Sequence, residues 1–113
     1  MLPLQNRIAL IVGGGNGLGR AIAKLYAERG ATVVVSDLQE AASKESLRLA
    51  GQSEKGLALT ADIQEVKAIR SMVDATTLRF GKLDILVNCA AICLVDPILE
   101  VTVERWDNVF AIN

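Results

Sequence analysis

The stretch Gly13-Gly14-Gly15-Asn16-Gly17-Leu18-Gly19 restricts this chain more than any other. The apolar run Ile8-Ala9-Leu10-Ile11-Val12 precedes it and an amphipathic segment follows, so a buried strand turns into a helix across a glycine-rich loop. Glycine lets such a loop take positive φ and lets the backbone approach a ligand without a Cβ in the way. The free N–H groups and positive dipole end of the helix then face whatever lies above the loop, and a phosphate suits that position. The spacing is not G-x-G-x-x-G; Gly13-x-x-x-Gly17-x-Gly19 is a longer variant with the same mechanics. Gly14 and Gly19 have the spacing of a mononucleotide P-loop, but Arg20-Ala21 stands where that loop needs Lys and Ser or Thr.

Downstream, Leu18, Ala21, Ile22, Leu25 and Tyr26 recur at helical spacing and Gly30 supplies a stop, which predicts a helix over 18–29 with Tyr26 as a core or boundary aromatic. Thr32-Val33-Val34-Val35-Ser36 reads as a parallel strand covered on both faces. Asp37 follows it, eighteen positions after Gly19. That is close to the ~20 residues at which a dinucleotide site places a carboxylate on the adenosine ribose. A carboxylate there repels a 2′-phosphate, and neither Leu38 nor Asn16 offers a compensating positive charge. A turn aspartate or helix N-cap is the alternative role for Asp37.

The rest of the chain keeps the alternation. A polar helix is expected over 39–50 with Leu47 and Leu49 as its apolar positions, then a loop over 51–56 and a third strand over 57–61, with Asp62 at the strand exit. Val66, Ile69, Met72, Val73 and Leu78 mark a helix over 65–79, stopped by Gly81. A fourth strand is expected over 83–87, running into Asn88-Cys89-Ala90-Ala91. Thr102 can cap a last helix that carries Glu104 in its first turn and Trp106, Val109, Phe110 and Ile112 on its apolar face. That helix stops at Asn113 with its apolar side chains uncovered, so a truncated final element is expected. The pattern is α/β: a doubly wound parallel sheet with ligand-binding loops at the carboxyl ends of its strands.

Composition excludes several function classes. In 113 residues there is room for one domain, and 51% apolar residues can fill its core. A net charge of −1 gives no footprint for nucleic acid or an anionic membrane. No apolar run approaches the ~20 residues of a membrane span, and the N-terminus lacks the order of a signal peptide, so a soluble cytoplasmic protein is expected. Cys89 and Cys93 match no zinc spacing, and the chain has no histidine; no metal is expected, and both cysteines should be free thiols.

Taken together, these residues resemble the short-chain dehydrogenase/reductase family along the whole chain, which would make residues 1–113 one partial Rossmann domain with strand order 3-2-1-4. The family's motif Thr-Gly-x-x-x-Gly-x-Gly is similar to residues 12–19, which puts Gly13, Asn16, Gly17, Leu18 and Gly19 at the cofactor. Asp37, with Leu38 beside it, resembles the ribose-binding acid of NAD-preferring members. Asp62-Ile63 resembles the pair that contacts adenine, and Asn88 to Ala91 resembles the Asn-Asn-Ala-Gly stretch, with Asn88 and Ala90 bordering the cofactor. Residues 106–113 resemble the run that ends in the family's active-site Asn, so the resemblance gives Asn113 a place in a water relay. Val12, Cys89 and Ala91 depart from the family's Thr, Asn and Gly, which bears on local hydrogen bonding and turn geometry.

The resemblance implies NAD as cofactor and hydride exchange with a small-molecule alcohol or ketone. The family's catalytic Ser and Tyr-x-x-x-Lys follow its Asn and are absent here; Tyr26 cannot substitute, because its fourth following residue is Gly30. The chain is therefore expected to be inactive alone and to associate with itself or a completing partner chain. A non-enzymatic NAD-binding module is the second reading, and a methyltransferase using a similar sheet is the third; hydride-transfer and S-adenosylmethionine competition assays separate them.

Overall fold

The computed structural model describes residues 1–93 and 95–113 and alternates strand and helix from end to end. The elements are β1 (Ile8–Val12), α1 (Gly17–Glu28), β2 (Thr32–Asp37), α2 (Glu40–Leu49), β3 (Leu57–Thr60), α3 (Val66–Phe80), β4 (Ile85–Asn88) and α4 (Val103–Ile112). All pairings are parallel and the sheet order is β3-β2-β1-β4, as the sequence predicts.

β1 is buried throughout and β2 is buried up to Ser36, because both lie inside the sheet with helices on each face. One core layer gathers Leu10, Val12, Val34, Ala61 and Met72 beneath α3. The other gathers Ile11, Ala23, Val33, Val35 and Leu47 beneath α1 and α2. Alternate residues of each strand feed alternate layers, as the two-residue period of a strand requires.

The helices occupy the expected places but bury narrower stripes. α1 turns Gly19 and Ala23 inward, with Ile22 and Tyr26 partly covered, while Leu18, Ala21 and Leu25 face outward. α2 buries Ser43, Ser46 and Leu47 and leaves Leu49 exposed. The serines tolerate burial because each hydroxyl finds a carbonyl: Ser43 Oγ donates to Leu59 O at 3.2 Å, and Ser46 Oγ donates to Gly14 O at 2.6 Å. α3 buries Met72 and Thr76 but exposes Val66 and Leu78.

Two side chains shape the sheet's ends. Gln52, expected in a loop, is buried and pairs with β2 as a strand would: its Oε1 accepts from Val33 N at 2.8 Å and its Nε2 donates to Ala31 O at 2.7 Å. β3 begins only opposite Val34, so Gln52 supplies the partners that β3 does not reach. Before β4, Asp84 accepts from Ile8 N at 2.8 Å and pairs with Lys82 at 3.1 Å. Asp84 N also donates to Ile8 O at 2.9 Å, so the residue pairs with Ile8 through both main chain and side chain, while β4 itself starts at Ile85 rather than Leu83 and includes Asn88.

α4 has the expected cap, with Thr102 Oγ1 accepting from Arg105 N at 3.1 Å. It buries none of its residues. Asn113, just past its end, is tied to the segment after β4: its Oδ1 accepts from Ile92 N at 2.9 Å while its Nδ2 donates to Ile92 O at 2.8 Å.

Candidate functional site

The carboxyl ends of β1, β2 and β4 and the segment after β3 meet around one cleft of about 340 Å³. Parallel strands place all these exits on one side of the sheet, the general location of ligand sites in open α/β folds. Gly13, Asn16 and Gly17 line the cleft from the glycine loop, Asp37 and Leu38 from the end of β2, Asp62 and Ile63 from beyond β3, and Ala90 from beyond β4. Eight residues singled out in the sequence, scattered over 78 positions, thus converge on one space.

The loop's glycines divide by what surrounds them. At Gly13, φ is +76° and a Cβ would meet Ala90 N at 2.6 Å, so the absence of a side chain lets β1's exit pack against β4's exit. A Cβ at Gly19 would collide with the Gly13 carbonyl. Gly17 differs: φ is +52°, yet a Cβ there would meet no atom of the described residues within 4 Å. Its bareness faces open space, as a close ligand approach requires.

The start of α1 suits an anion. Asn16 is the N-cap but its side chain makes no capping bond, and the first turn holds no acidic residue. The helix's first N–H groups and dipole end therefore meet no protein carboxylate in that turn.

The loop itself is braced from two directions. Asp37 Oδ2 accepts from Gly15 N at 3.0 Å and its Oδ1 accepts from Gln39 N at 3.2 Å. The turn role of this aspartate is therefore real, and the ionised carboxylate still has lone-pair sites to spare. From α2, Ser46 holds the Gly14 carbonyl while accepting from Arg20 Nε at 3.0 Å. Asp62 Oδ1 accepts from Gln64 N at 3.0 Å, fixing the exit of β3 in the same way.

Four expected site residues lie outside the lining. Leu18 and Gly19 are in the first turn of α1, with Leu18 exposed and Gly19 buried against the loop. Asn88 Oδ1 accepts from Ala90 N at 3.1 Å and so shapes the turn that does line the cleft. Asn113 reaches only the Ile92 backbone, although its neighbour Ile112 borders the cleft. Ser36, Cys89 and Ile92 also border it. Ser36 escaped the sequence reading because it passes for the last residue of a buried strand. Among the described residues, no group of three His, Cys, Asp or Glu is placed to hold a metal, and Cys89 and Cys93 are free cysteines.

The family model of the short chain dehydrogenases matches residues 7–113, so the match takes in every element of this cleft. The chain belongs to the short-chain dehydrogenases. It is 37% identical over 112 residues to galactitol 2-dehydrogenase of Agrobacterium fabrum, covering 99% of this chain and 43% of that protein. It is 33% identical over 111 residues to D-threitol dehydrogenase of Mycolicibacterium smegmatis, covering 97% and 43%. A solved Serratia marcescens short-chain dehydrogenase/reductase double mutant superposes with TM-score 0.89 at 29% identity, covering 97% of this chain and 46% of that one. The chain spans less than half the length of the galactitol and threitol enzymes.

Family and Rossmann fold together imply a nicotinamide dinucleotide cofactor. The cleft of this short-chain dehydrogenase fits such a group on three observations: the uncapped start of α1, the bare side of Gly17, and a carboxylate at the end of β2. No helix among the described residues is long and apolar enough to cross a membrane.

Proposed function

We propose that these residues are the cofactor-binding half of an NAD-dependent oxidoreductase that exchanges hydride between the nicotinamide and a secondary alcohol or its carbonyl. The observation that carries the NAD preference is Asp37. Its carboxylate stands at the rim of the cleft, held by the Gly15 and Gln39 amides. A ribose diol can donate to it, whereas a 2′-phosphate would face a like charge.

Bound dinucleotide supplies a hydride acceptor or donor at nicotinamide C4. The chain's own residues bind and orient. The amides at the start of α1, from Gly17 onward, take the pyrophosphate, while Gly13 keeps the loop close to it and Asn16, Leu18 and Gly19 shape that turn. Leu38 and Ile63 cover the adenine and Asp62 accepts from its exocyclic amine. Asn88 fixes the turn that brings Ala90 to the cofactor. The side chain of Asn113 is engaged with Ile92, which leaves its main-chain carbonyl as the group for a relay water.

The only tyrosine, Tyr26, packs in α1 against the core layer of Ile11 and Ala23. No Tyr-x-x-x-Lys pair exists in the 113 residues, so we expect binding without turnover from this chain alone. The galactitol and threitol enzymes among its relatives favour a polyol-like secondary alcohol for the whole protein. A cytoplasmic setting and self-association, or a completing partner chain, belong to the same reading. Titration of the purified chain with NADH and NADPH tests it: NADH should bind more tightly, and equal affinities would overturn the assignment.

A further inference from the structure

Ser36 Oγ is the buried side-chain polar atom that has no hydrogen-bond partner among the described residues. Ser36 is 1% exposed. Other fully buried hydroxyls in this fold are paired, Ser43 with Leu59, Ser46 with Gly14 and Thr76 with Met72. An orphan hydroxyl is unfavourable in a packed interior, where native structures satisfy nearly all such groups.

Its position is informative. Ser36 is in register with Val12, as Val34 is with Leu10, so its side chain belongs to the face of the sheet that carries Val12 and Val34. Both Ser36 and Val12 border the cleft. The Ser36 carbonyl accepts from Gly13 N at 2.8 Å and from Gly14 N at 3.2 Å, which fixes the residue directly beneath the glycine loop. Asp37 is the next residue. Ser36 thus joins the loop assigned to the pyrophosphate to the residue assigned to the ribose, with its hydroxyl on the sheet face of Val12 and Val34.

We propose that Ser36 is a further binding residue whose hydroxyl hydrogen-bonds the ADP part of the dinucleotide. This rests on the dinucleotide reading above. A hydroxyl can donate once and accept twice, and this residue already borders the cleft. On this account Ser36 lowers the stability of the free chain and raises affinity for its ligand, effects of opposite sign that a merely structural serine would not show.

The test is Ser36→Ala, which removes one atom and keeps the strand. Melting temperature without ligand, and titrations with NADH, ADP-ribose and nicotinamide mononucleotide, are measured on both chains. We expect the variant to melt at the same temperature or higher, and to bind NADH and ADP-ribose about five- to tenfold more weakly by a common factor, with no change toward the mononucleotide. Unchanged ADP-ribose affinity in Ser36→Ala, beside normal binding by the unmutated chain, would overturn the Ser36 assignment alone. Failure of the unmutated chain to bind NADH would overturn the dinucleotide reading and this proposal with it.

Discussion

At the scale of single residues, two carboxylates show how position decides role. Asp37 holds the glycine loop and is offered to a ribose, so Asp37→Ala should weaken NADH binding about tenfold and narrow the gap to NADPH, as read by fluorescence titration. A gap that stays the same would remove Asp37 from cofactor choice. Asp84 is structural. The Ile8 amide first, and the Lys82 ammonium next, hold its carboxyl below the usual carboxylate range. A pKa lowered by folding means stabilisation that is present at neutral pH and lost as pH falls through the carboxylate range. Asp84→Asn should therefore lower the melting temperature at pH 7, and the difference should shrink progressively as pH falls below about 4. A difference that does not shrink on acidification would contradict this. The sequence places Asp37 by its distance from Gly19, but Asp84 reads there as an ordinary strand residue, since a bond to Ile8 across 76 positions leaves no local trace.

Among the elements, type and order are legible because strongly apolar β1 and β2 alternate with periodic helices. The buried faces are less so. In α1 the core side is Gly19 and Ala23 rather than Leu18 and Leu25, because close approach to the loop and strands favours small residues. In α2, Ser43 and Ser46 look like surface residues until the Leu59 and Gly14 carbonyls that satisfy them are in place. Gln52 was hidden for the same reason: an amide in a polar loop carries no sign that it will complete β2. Gln52→Ala leaves the Val33 amide and Ala31 carbonyl without that partner, and should cost about 1–3 kcal/mol. Chemical denaturation would read this as a lower midpoint with an unchanged slope. A midpoint equal to that of the unmutated chain would show that water serves those groups as well.

For the molecule as a whole, the layered sheet and the site follow from one geometry, since parallel strands bring every loop of the cleft to the same side. The other end of the chain departs from compactness. The radius of gyration is 15.3 Å with extents of 55 × 26 × 24 Å, against about 13 Å for a compact domain of this size. α4 exposes Trp106 and Phe110, whose rings meet at a tilt with centroids 5.3 Å apart, and β4 is an edge strand. An apolar helix beside an unpaired edge favours self-association, so light scattering should give masses above the 12.1 kDa of one chain. A monodisperse monomer would contradict that expectation. The cleft above the glycine loop is proposed to hold the pyrophosphate of a dinucleotide, and Gly17 borders it with no atom of the described residues within 4 Å of where its Cβ would stand. In Gly17→Val, the side chain is tolerated by the described neighbours but strained by the positive φ, so the variant should fold with reduced stability. NADH titration of the folded variant, checked by circular dichroism, should show binding abolished. Affinity equal to that of the unmutated chain would place the dinucleotide elsewhere.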